Sequence, residues 1–169
     1  MIIDVPTDTE LALLATRAGQ SLLGRGLTVA TAESCTGGYV AKLITDIPGS
    51  SRWFTCGFVT YSNEAKQRQL GVAAGTLAEH GAVSEQTAVE MAVGALVVGE
   101  VQRAVSISGV AGPDGGTEAH PVGLVWFSRT QRLENGSVGA LSMQRRFEGD
   151  RDAIRRRAAA YALALLMDP

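Results

Sequence analysis

The sequence predicts an α/β fold, a three-layer α/β/α sandwich around a mixed, mostly parallel β-sheet that includes an antiparallel hairpin. Two observations predict this topology. Apolar segments with a helical period alternate with short strand-like segments through most of the chain. Two further strand-like segments then flank Asn135-Gly136, a hairpin turn signal, before a closing helix. Because 169 residues suit one ordinary domain, we expect a single domain over 1–169.

The first part of the chain is predicted to form a helix, a strand and a second helix. Thr7 and Glu10 have capping-box spacing, and apolar residues follow at helical intervals until Gly24. Segment 27–32 is predicted to be a short buried strand. A glycine-bearing turn then leads into a helix that ends near Asp46.

The middle of the chain continues the alternation. Segment 53–61 is rich in aromatic and β-branched residues and is predicted to be a strand, and Asn63 is a plausible N-cap for the helix that carries Lys66. Ser84 is predicted to cap another helix with one apolar face, and 105–110 to form a strand.

The last part of the chain is predicted to be a hairpin and a helix. Segments 122–128 and 140–147 are the two strands, and Asp150 precedes a helix with apolar residues every three or four positions. In open α/β sheets, ligands bind beyond the carboxyl ends of the strands. Three predicted strands are each followed by a polar loop that contains glycine or asparagine. The loops are AESCTGG (32–38), YSN (61–63) and AGPDGG (111–116), and we expect them to meet at one edge of the sheet.

Composition excludes several functional classes. A net charge of −2 with 19% charged residues does not predict a nucleic-acid partner. The longest apolar run, 158–167, is shorter than the roughly 20 residues needed to cross a bilayer, and the N-terminus lacks a signal-peptide pattern. We therefore expect no membrane association and a cytoplasmic protein, with Cys35 and Cys56 reduced. No metal-ligand spacing is present, and we expect no cofactor.

Ser34 has two possible roles in AESCTGG. It can cap the following helix, which is the common role of a serine before a helical segment. Alternatively, it is a nucleophile, with free N–H groups near Gly37 and Gly38 placed to stabilise an oxyanion. The local stretch favours the cap, because a nucleophile needs a base that this motif does not contain.

Lys66 is a candidate for that base. A lysine is ordinarily a solvated surface residue, but the first turn of a helix disfavours a cation and favours the neutral amine. The chain has one other lysine, Lys42, and arginine cannot deprotonate in proteins. Tyr61, five residues before Lys66, could share the proton or orient the serine, or be an ordinary amphipathic residue at a strand end.

Two other motifs leave alternatives open. Cys35 could be the nucleophile, since a thiolate at a helix N-terminus has a lowered pKa, or a small buried apolar residue. AGPDGG could be a tight turn or a cradle of backbone N–H groups for a phosphate. Segment 155–157 consists of three arginines and is most simply a solvated helix face.

The chain resembles the C-terminal domain of the CinA (competence/damage-inducible) proteins, whose stand-alone form is nicotinamide-nucleotide amidase. Six blocks match that pattern in order and cover almost the whole chain: AESCTGG, GFVTYSNEAK, HGAVSEQTAVEMAVGAL, SISGVAGPDGG, PVGLVWF and GDRDAIRRRAAAYAL.

The resemblance implies hydrolysis of nicotinamide mononucleotide to nicotinic acid mononucleotide and ammonia, as in pyridine nucleotide recycling, without a metal. It implies Ser34 as nucleophile, assisted by Tyr61 and Lys66. It also implies a dimer or higher homo-oligomer. The residues expected at the substrate are Thr36, Gly37, Gly38, Asn63, Ser108, Gly112, Pro113, Asp114, Gly115, Gly116 and Arg151.

One position departs from the family pattern. His120 stands before PVG, where the family commonly has lysine, and a histidine is largely neutral at pH 7. Phosphate affinity or its pH dependence is therefore expected to differ if that lysine binds phosphate. Two rival functions remain: a Cys35-dependent amidase, and a non-catalytic nucleotide-binding module in which Ser34 only caps a helix.

Overall fold

The computed structural model describes residues 4–168 as an alternating series of helices and strands. The elements, in chain order, are α1 (Asp8–Gly24), β1 (Val29–Glu33), α2 (Tyr39–Thr45), a 3₁₀ turn (Ser50–Arg52), β2 (Phe54–Val59), α3 (Asn63–Leu70), α4 (Ala74–His80), α5 (Glu85–Val98), β3 (Arg103–Gly109), β4 (Leu124–Arg132), β5 (Val138–Arg146) and α6 (Arg151–Met167).

The five strands form one mixed sheet in the order β2-β1-β3-β4-β5. β1 lies parallel to both β2 and β3, whereas β4 is antiparallel to β3 and to β5. Four strands therefore run in one direction and β4 in the other. The predicted mixed sheet with its antiparallel hairpin is confirmed, and it places the carboxyl ends of β1, β2 and β3 at one edge.

Helices cover both faces of the sheet, as the three-layer prediction requires. On one face, apolar residues of α1, α2 and α6 pack with strand residues such as Val105 and Ile107. On the other face, α3, α4 and α5 pack with small strand residues such as Ala30 and Ala104. Alternate residues of β3 thus belong to different cores, because successive side chains of a strand point to opposite faces.

The predicted start signals of three helices are confirmed. Thr7 and Glu10 form a reciprocal capping box on α1. Ser84 accepts the Thr87 N–H on α5, and Asp150 accepts the Ala153 N–H at 2.8 Å on α6. Each acceptor satisfies an N–H group that has no partner within its own helix.

Three predictions about helix starts were wrong or incomplete. Ser62 caps α3 through its hydroxyl, and Asn63 is the first helical residue. Gly38, with a φ of +89°, stands at the N-cap of α2, so Ser34 does not cap a helix. α4 was not predicted, because Ala73 at its N-cap offers no side-chain acceptor and hence no sequence signal.

Candidate active site

Ser34 lies directly after β1, at the carboxyl edge of the sheet. Its N–H donates to the Ile107 carbonyl of β3 at 2.9 Å, while the Thr60 N–H after β2 donates to the Glu33 carbonyl at 2.9 Å. The residue is only 9% exposed. Both neighbouring strands therefore fix the backbone at Ser34, and the residue is almost fully buried.

Glu33 has a role that the sequence did not reveal. Its carboxylate is buried and accepts the N–H groups of Val40 at 3.1 Å and Ala41 at 2.8 Å, in the first turn of α2. Burial raises the pKa of this carboxyl, and the backbone N–H groups act in the opposite direction. The N–H groups of α2 that could receive a substrate anion are thus already taken by Glu33.

The turn from Ser34 to Gly38 is closed by its own backbone. The Gly37 N–H donates to the Ser34 carbonyl at 3.0 Å, and the Tyr39 N–H donates to the Thr36 carbonyl at 3.3 Å. Gly37 and Gly38 have φ angles of +61° and +89°, a region that side chains disfavour. Within residues 4–168, no backbone carbonyl accepts the N–H groups of Cys35 and Thr36, and the Cys35 N–H acts only on its own thiol.

Lys66 meets Ser34 across 32 positions of the chain. Its amine is 3.1 Å from Ser34 Oγ and donates to the Thr60 carbonyl at 2.7 Å. The residue is 1% exposed, and in the described part of the chain no carboxylate pairs with it. Burial lowers the pKa of Lys66, with Cys35 acting weakly in the opposite direction.

This pairing has a clear chemical meaning. A lysine ammonium without a carboxylate partner is costly to bury, so the buried amine favours its neutral form. A neutral amine within hydrogen-bond reach of a serine hydroxyl can accept its proton. Lys66 is the fourth residue of α3, one position later than predicted, and its N–H closes the first turn by donating to the Ser62 carbonyl at 3.1 Å.

Tyr61 lies outside this buried pair. It is 61% exposed, and its hydroxyl accepts from Nη2 of Arg151 at 2.9 Å. Nη1 of the same arginine donates to the Gly112 carbonyl at 2.6 Å. The structure therefore brings Tyr61, Arg151 and the AGPDGG loop together as an exposed rim, without a hydrogen bond from Tyr61 to Ser34 or Lys66.

The other residues predicted at the substrate differ in accessibility. Gly112 is buried, whereas 113–116 and Asn63 are exposed. Ser108 is buried, and its hydroxyl donates to the Ala82 carbonyl at 2.6 Å. Thr36 is also buried, and its hydroxyl acts on the Glu33 carboxylate, whose pKa it lowers. Only the exposed members of this set are open to a ligand in this conformation.

Cys35 lies in the apolar core despite its place beside Ser34. It is 5% exposed and packs with the cluster formed by α1, α2 and α6. Burial raises the pKa of its thiol to about 12. A thiol with that pKa is almost entirely protonated at neutral pH, and the thiolate is the nucleophilic form.

The arginines of 155–157 are not a solvated helix face, so that prediction was wrong. All three are half-buried, and each donates to a backbone carbonyl. The acceptors are Thr36 for Arg155 at 2.8 Å, Pro6 for Arg156 at 3.0 Å and Glu148 for Arg157. Arg155 follows Arg151 by four positions on α6, and that spacing is a signal that both belong to the face nearest the site.

The described residues supply no metal site. Over 4–168, no three His, Cys, Asp or Glu side chains are placed to hold a metal ion together. Both cysteines are free thiols. None of the helices described has the length and apolar character needed to span a membrane. That the reaction needs no metal stays a prediction, and so does the cytoplasmic location.

Comparison with known proteins gives consistent findings. Residues 11–169 match the family described as the CinA C-terminal domain. The chain is 59% identical over 160 residues to nicotinamide-nucleotide amidohydrolase PncC of Escherichia coli (strain K12), covering 95% of this chain and 94% of that protein. It is 50% identical over 157 residues to the protein of the same name from Enterobacter agglomerans, covering 93% of each.

A solved structure agrees in fold as well as in sequence. The competence/damage inducible protein CihA from Agrobacterium tumefaciens superposes with a TM-score of 0.86 and 43% identity, covering 97% of this chain and 96% of that one. The resemblance seen in the six sequence blocks is confirmed. The chain belongs to the CinA C-terminal domain family.

Proposed function

We propose that this protein is a nicotinamide-nucleotide amidohydrolase, which converts nicotinamide mononucleotide and water to nicotinic acid mononucleotide and ammonia. The observation that carries the proposal is the buried Lys66 amine, 3.1 Å from Ser34 Oγ. The high identity to proteins named nicotinamide-nucleotide amidohydrolase supports the substrate. The location we propose is the cytoplasm, and the oligomeric state stays a prediction.

The first chemical step is attack by Ser34 on the carboxamide carbon. Neutral Lys66 donates one N–H to the Thr60 carbonyl at 2.7 Å, which leaves its lone pair to receive the Ser34 proton. The new bond joins Ser34 Oγ to the carbonyl carbon, and the proton moves to Nζ of Lys66. This arrangement needs no relay through Tyr61, whose hydroxyl is bound to Arg151.

The oxyanion of the tetrahedral intermediate needs hydrogen-bond donors. The N–H groups of Cys35 and Thr36 are candidates, because no backbone carbonyl within 4–168 accepts them and they follow the nucleophile directly. The Gly37 N–H is already bound to the Ser34 carbonyl. Gly37 and Gly38 therefore shape the turn, and the two preceding N–H groups hold the developing charge.

Ammonia leaves when the intermediate collapses. The Lys66 ammonium returns its proton to the amide nitrogen, the C–N bond breaks and an acyl-enzyme remains on Ser34. Water then attacks the ester and loses a proton to Lys66; the Lys66 ammonium returns this proton to Ser34 Oγ as the C–O bond breaks and nicotinic acid mononucleotide leaves. The same amine acts in turn as base, acid, base and acid.

The direct test is ammonia release from nicotinamide mononucleotide by the purified protein, measured with EDTA present. We expect turnover that EDTA leaves unchanged. A non-catalytic nucleotide-binding module predicts saturable binding without ammonia, and that result would reject the proposed reaction. The Ser34–Lys66 contact favours the enzyme, since Ser34 does not have the capping role that the binding module requires.

We propose that the exposed rim binds the nucleotide. Arg151 is its cation and is held by the Gly112 carbonyl and the Tyr61 hydroxyl. A phosphate can displace one of these acceptors and form a charge-assisted bond. The other residues that we propose to contact the substrate are Thr36, Gly37, Gly38, Asn63, Ser108 and 113–116.

Arg151→Gln is expected to raise KM roughly tenfold or more while changing kcat less, because a charge-assisted bond to a phosphate contributes about 1.5–3 kcal/mol. Steady-state kinetics of ammonia release measure both constants. Arg68→Gln, an exposed arginine of α3, is the control and should match the wild type. An unchanged KM in Arg151→Gln would exclude this residue from binding.

Cys35→Ala is expected to keep kcat within about threefold of the wild type, because a thiol with a pKa of about 12 is protonated and packed in the core. Iodoacetamide at pH 7 should likewise leave ammonia release intact. Loss of turnover in both experiments, with an unchanged melting temperature, would establish the Cys35 amidase instead.

A further inference from the structure

Arg155 is placed to control the nucleophile turn from α6. Its Nη2 donates to the Thr36 carbonyl at 2.8 Å, although the two residues are 119 positions apart. The guanidinium carbon lies 5.7 Å from the centroid of the Tyr39 ring, within the range of a cation–π contact. The side chain is half-buried, so both contacts are partly shielded from water.

The bond fixes a single peptide unit from both ends. The carbonyl of the Thr36–Gly37 peptide accepts from Arg155, and its N–H donates to the Ser34 carbonyl at 3.0 Å. A peptide group is planar, so these two bonds, together with the longer one from the Tyr39 N–H to the same carbonyl at 3.3 Å, set the orientation of the whole unit. The rotation of this peptide in turn limits where the preceding N–H groups of Cys35 and Thr36 point.

We propose that Arg155 is a positioning residue, which holds the Thr36–Gly37 peptide so that the N–H groups of Cys35 and Thr36 face the oxyanion. This inference rests on the proposed amidohydrolase function. Donors that are fixed before the reaction stabilise developing charge without a reorganisation cost. Arg155 itself does not touch the substrate in this scheme.

Arginine suits this place better than lysine would. Its rigid planar group can donate to a carbonyl while it lies over an aromatic ring, whereas an ammonium is a strongly hydrated point charge. Nε of Arg155 is buried without a partner among the described residues, a cost that the stabilised turn must offset. Arg156, by contrast, donates to the Pro6 carbonyl at 3.0 Å and to the Tyr39 hydroxyl at 2.8 Å.

The first test compares kinetic constants for nicotinamide mononucleotide. Arg155→Met is expected to lower kcat by roughly 10- to 100-fold with KM within about twofold, because misplaced donors weaken the transition state rather than substrate binding. Arg155→Lys should recover part of the lost kcat, since an ammonium can still donate to the Thr36 carbonyl. Arg156→Met is the matched control and should lower the melting temperature but keep kcat.

The second test does not depend on the substrate. The rate at which a fluorophosphonate modifies Ser34, followed by mass spectrometry, should fall in Arg155→Met and not in Arg156→Met. Modification of the wild type without ammonia release would reject the proposed reaction and leave the role of Arg155 standing. Three results would overturn the positioning role of Arg155. The modification rate could be equal in Arg155→Met and the wild type, or the wild type could remain unmodified. The third result is an equal loss of kcat in Arg155→Met and Arg156→Met.

Discussion

Ser34→Ala is expected to lower kcat for ammonia release on the order of 10⁴-fold or more, because no other nucleophile is available at this position. The neighbouring thiol is buried, and its pKa is raised to about 12. Quench-flow or steady-state assays should detect no acyl-enzyme in the variant. Mass spectrometry of the wild type during turnover should find the nicotinic acid mononucleotide acyl group on Ser34.

The variant should remain folded and should still bind the nucleotide. Ser34 Oγ has one hydrogen-bond partner in the described structure, Lys66, so its loss removes little stability. Isothermal titration with nicotinamide mononucleotide should give a Kd within about threefold of the wild type, because the rim residues are unchanged. Turnover within tenfold of the wild type would contradict a serine nucleophile.

The sequence was informative about the fold for local reasons. The capping box at Thr7, the Asp150 cap and the Asn135-Gly136 hairpin all depend on residues a few positions apart, and each is confirmed. α4 was missed because its start has no capping side chain. Where the local signal was ambiguous, as at Ser62 and Asn63, the predicted N-cap of α3 was wrong by one residue.

The sequence named the residues that the structure brings together at the candidate site, but most of their contacts could not be predicted. The position of Lys66 near the start of α3 could be predicted from the sequence. The order of the strands in the sheet then brings the turn at Ser34 close to that helix. The orientation of Tyr61 toward Arg151 depends on how α6 packs, which local patterns do not encode. Glu33 was overlooked as a partner of α2, because the N–H groups that donate to it lie seven and eight residues away across a turn.

The buried amine also links stability to function. A charged lysine in this position destabilises the fold, while its neutral form is the one that the reaction needs. Each unit by which the pKa is lowered corresponds to about 1.4 kcal/mol of preference for the neutral form in the folded state. The proposed role as base therefore accounts for a lysine at this position, where an apolar residue would suit the core better.

Lys66→Met is expected to lower kcat/KM by about 10³-fold, because methionine fills a similar volume but cannot accept the Ser34 proton. In the wild type, kcat/KM should rise with pH and level off above the pKa of Lys66, which lies below 10.5. The variant should lose this rise in its residual activity. Lys42→Met is the control, since Lys42 is exposed and paired with Asp46 at 2.5 Å, and it should keep both the rate and the pH profile.

Thermal stability should change in the opposite direction from activity. Below the lowered pKa, Lys66 is charged in both the folded and unfolded states, so the folded state bears the full cost of burying the charge. Between that pKa and 10.5 only the unfolded state keeps the proton, and stability rises with pH. Lys66→Met should therefore raise the melting temperature most at low pH, with the gain shrinking toward pH 10.5. A gain that is independent of pH, together with an unchanged rise in kcat/KM, would mean that another group is the base.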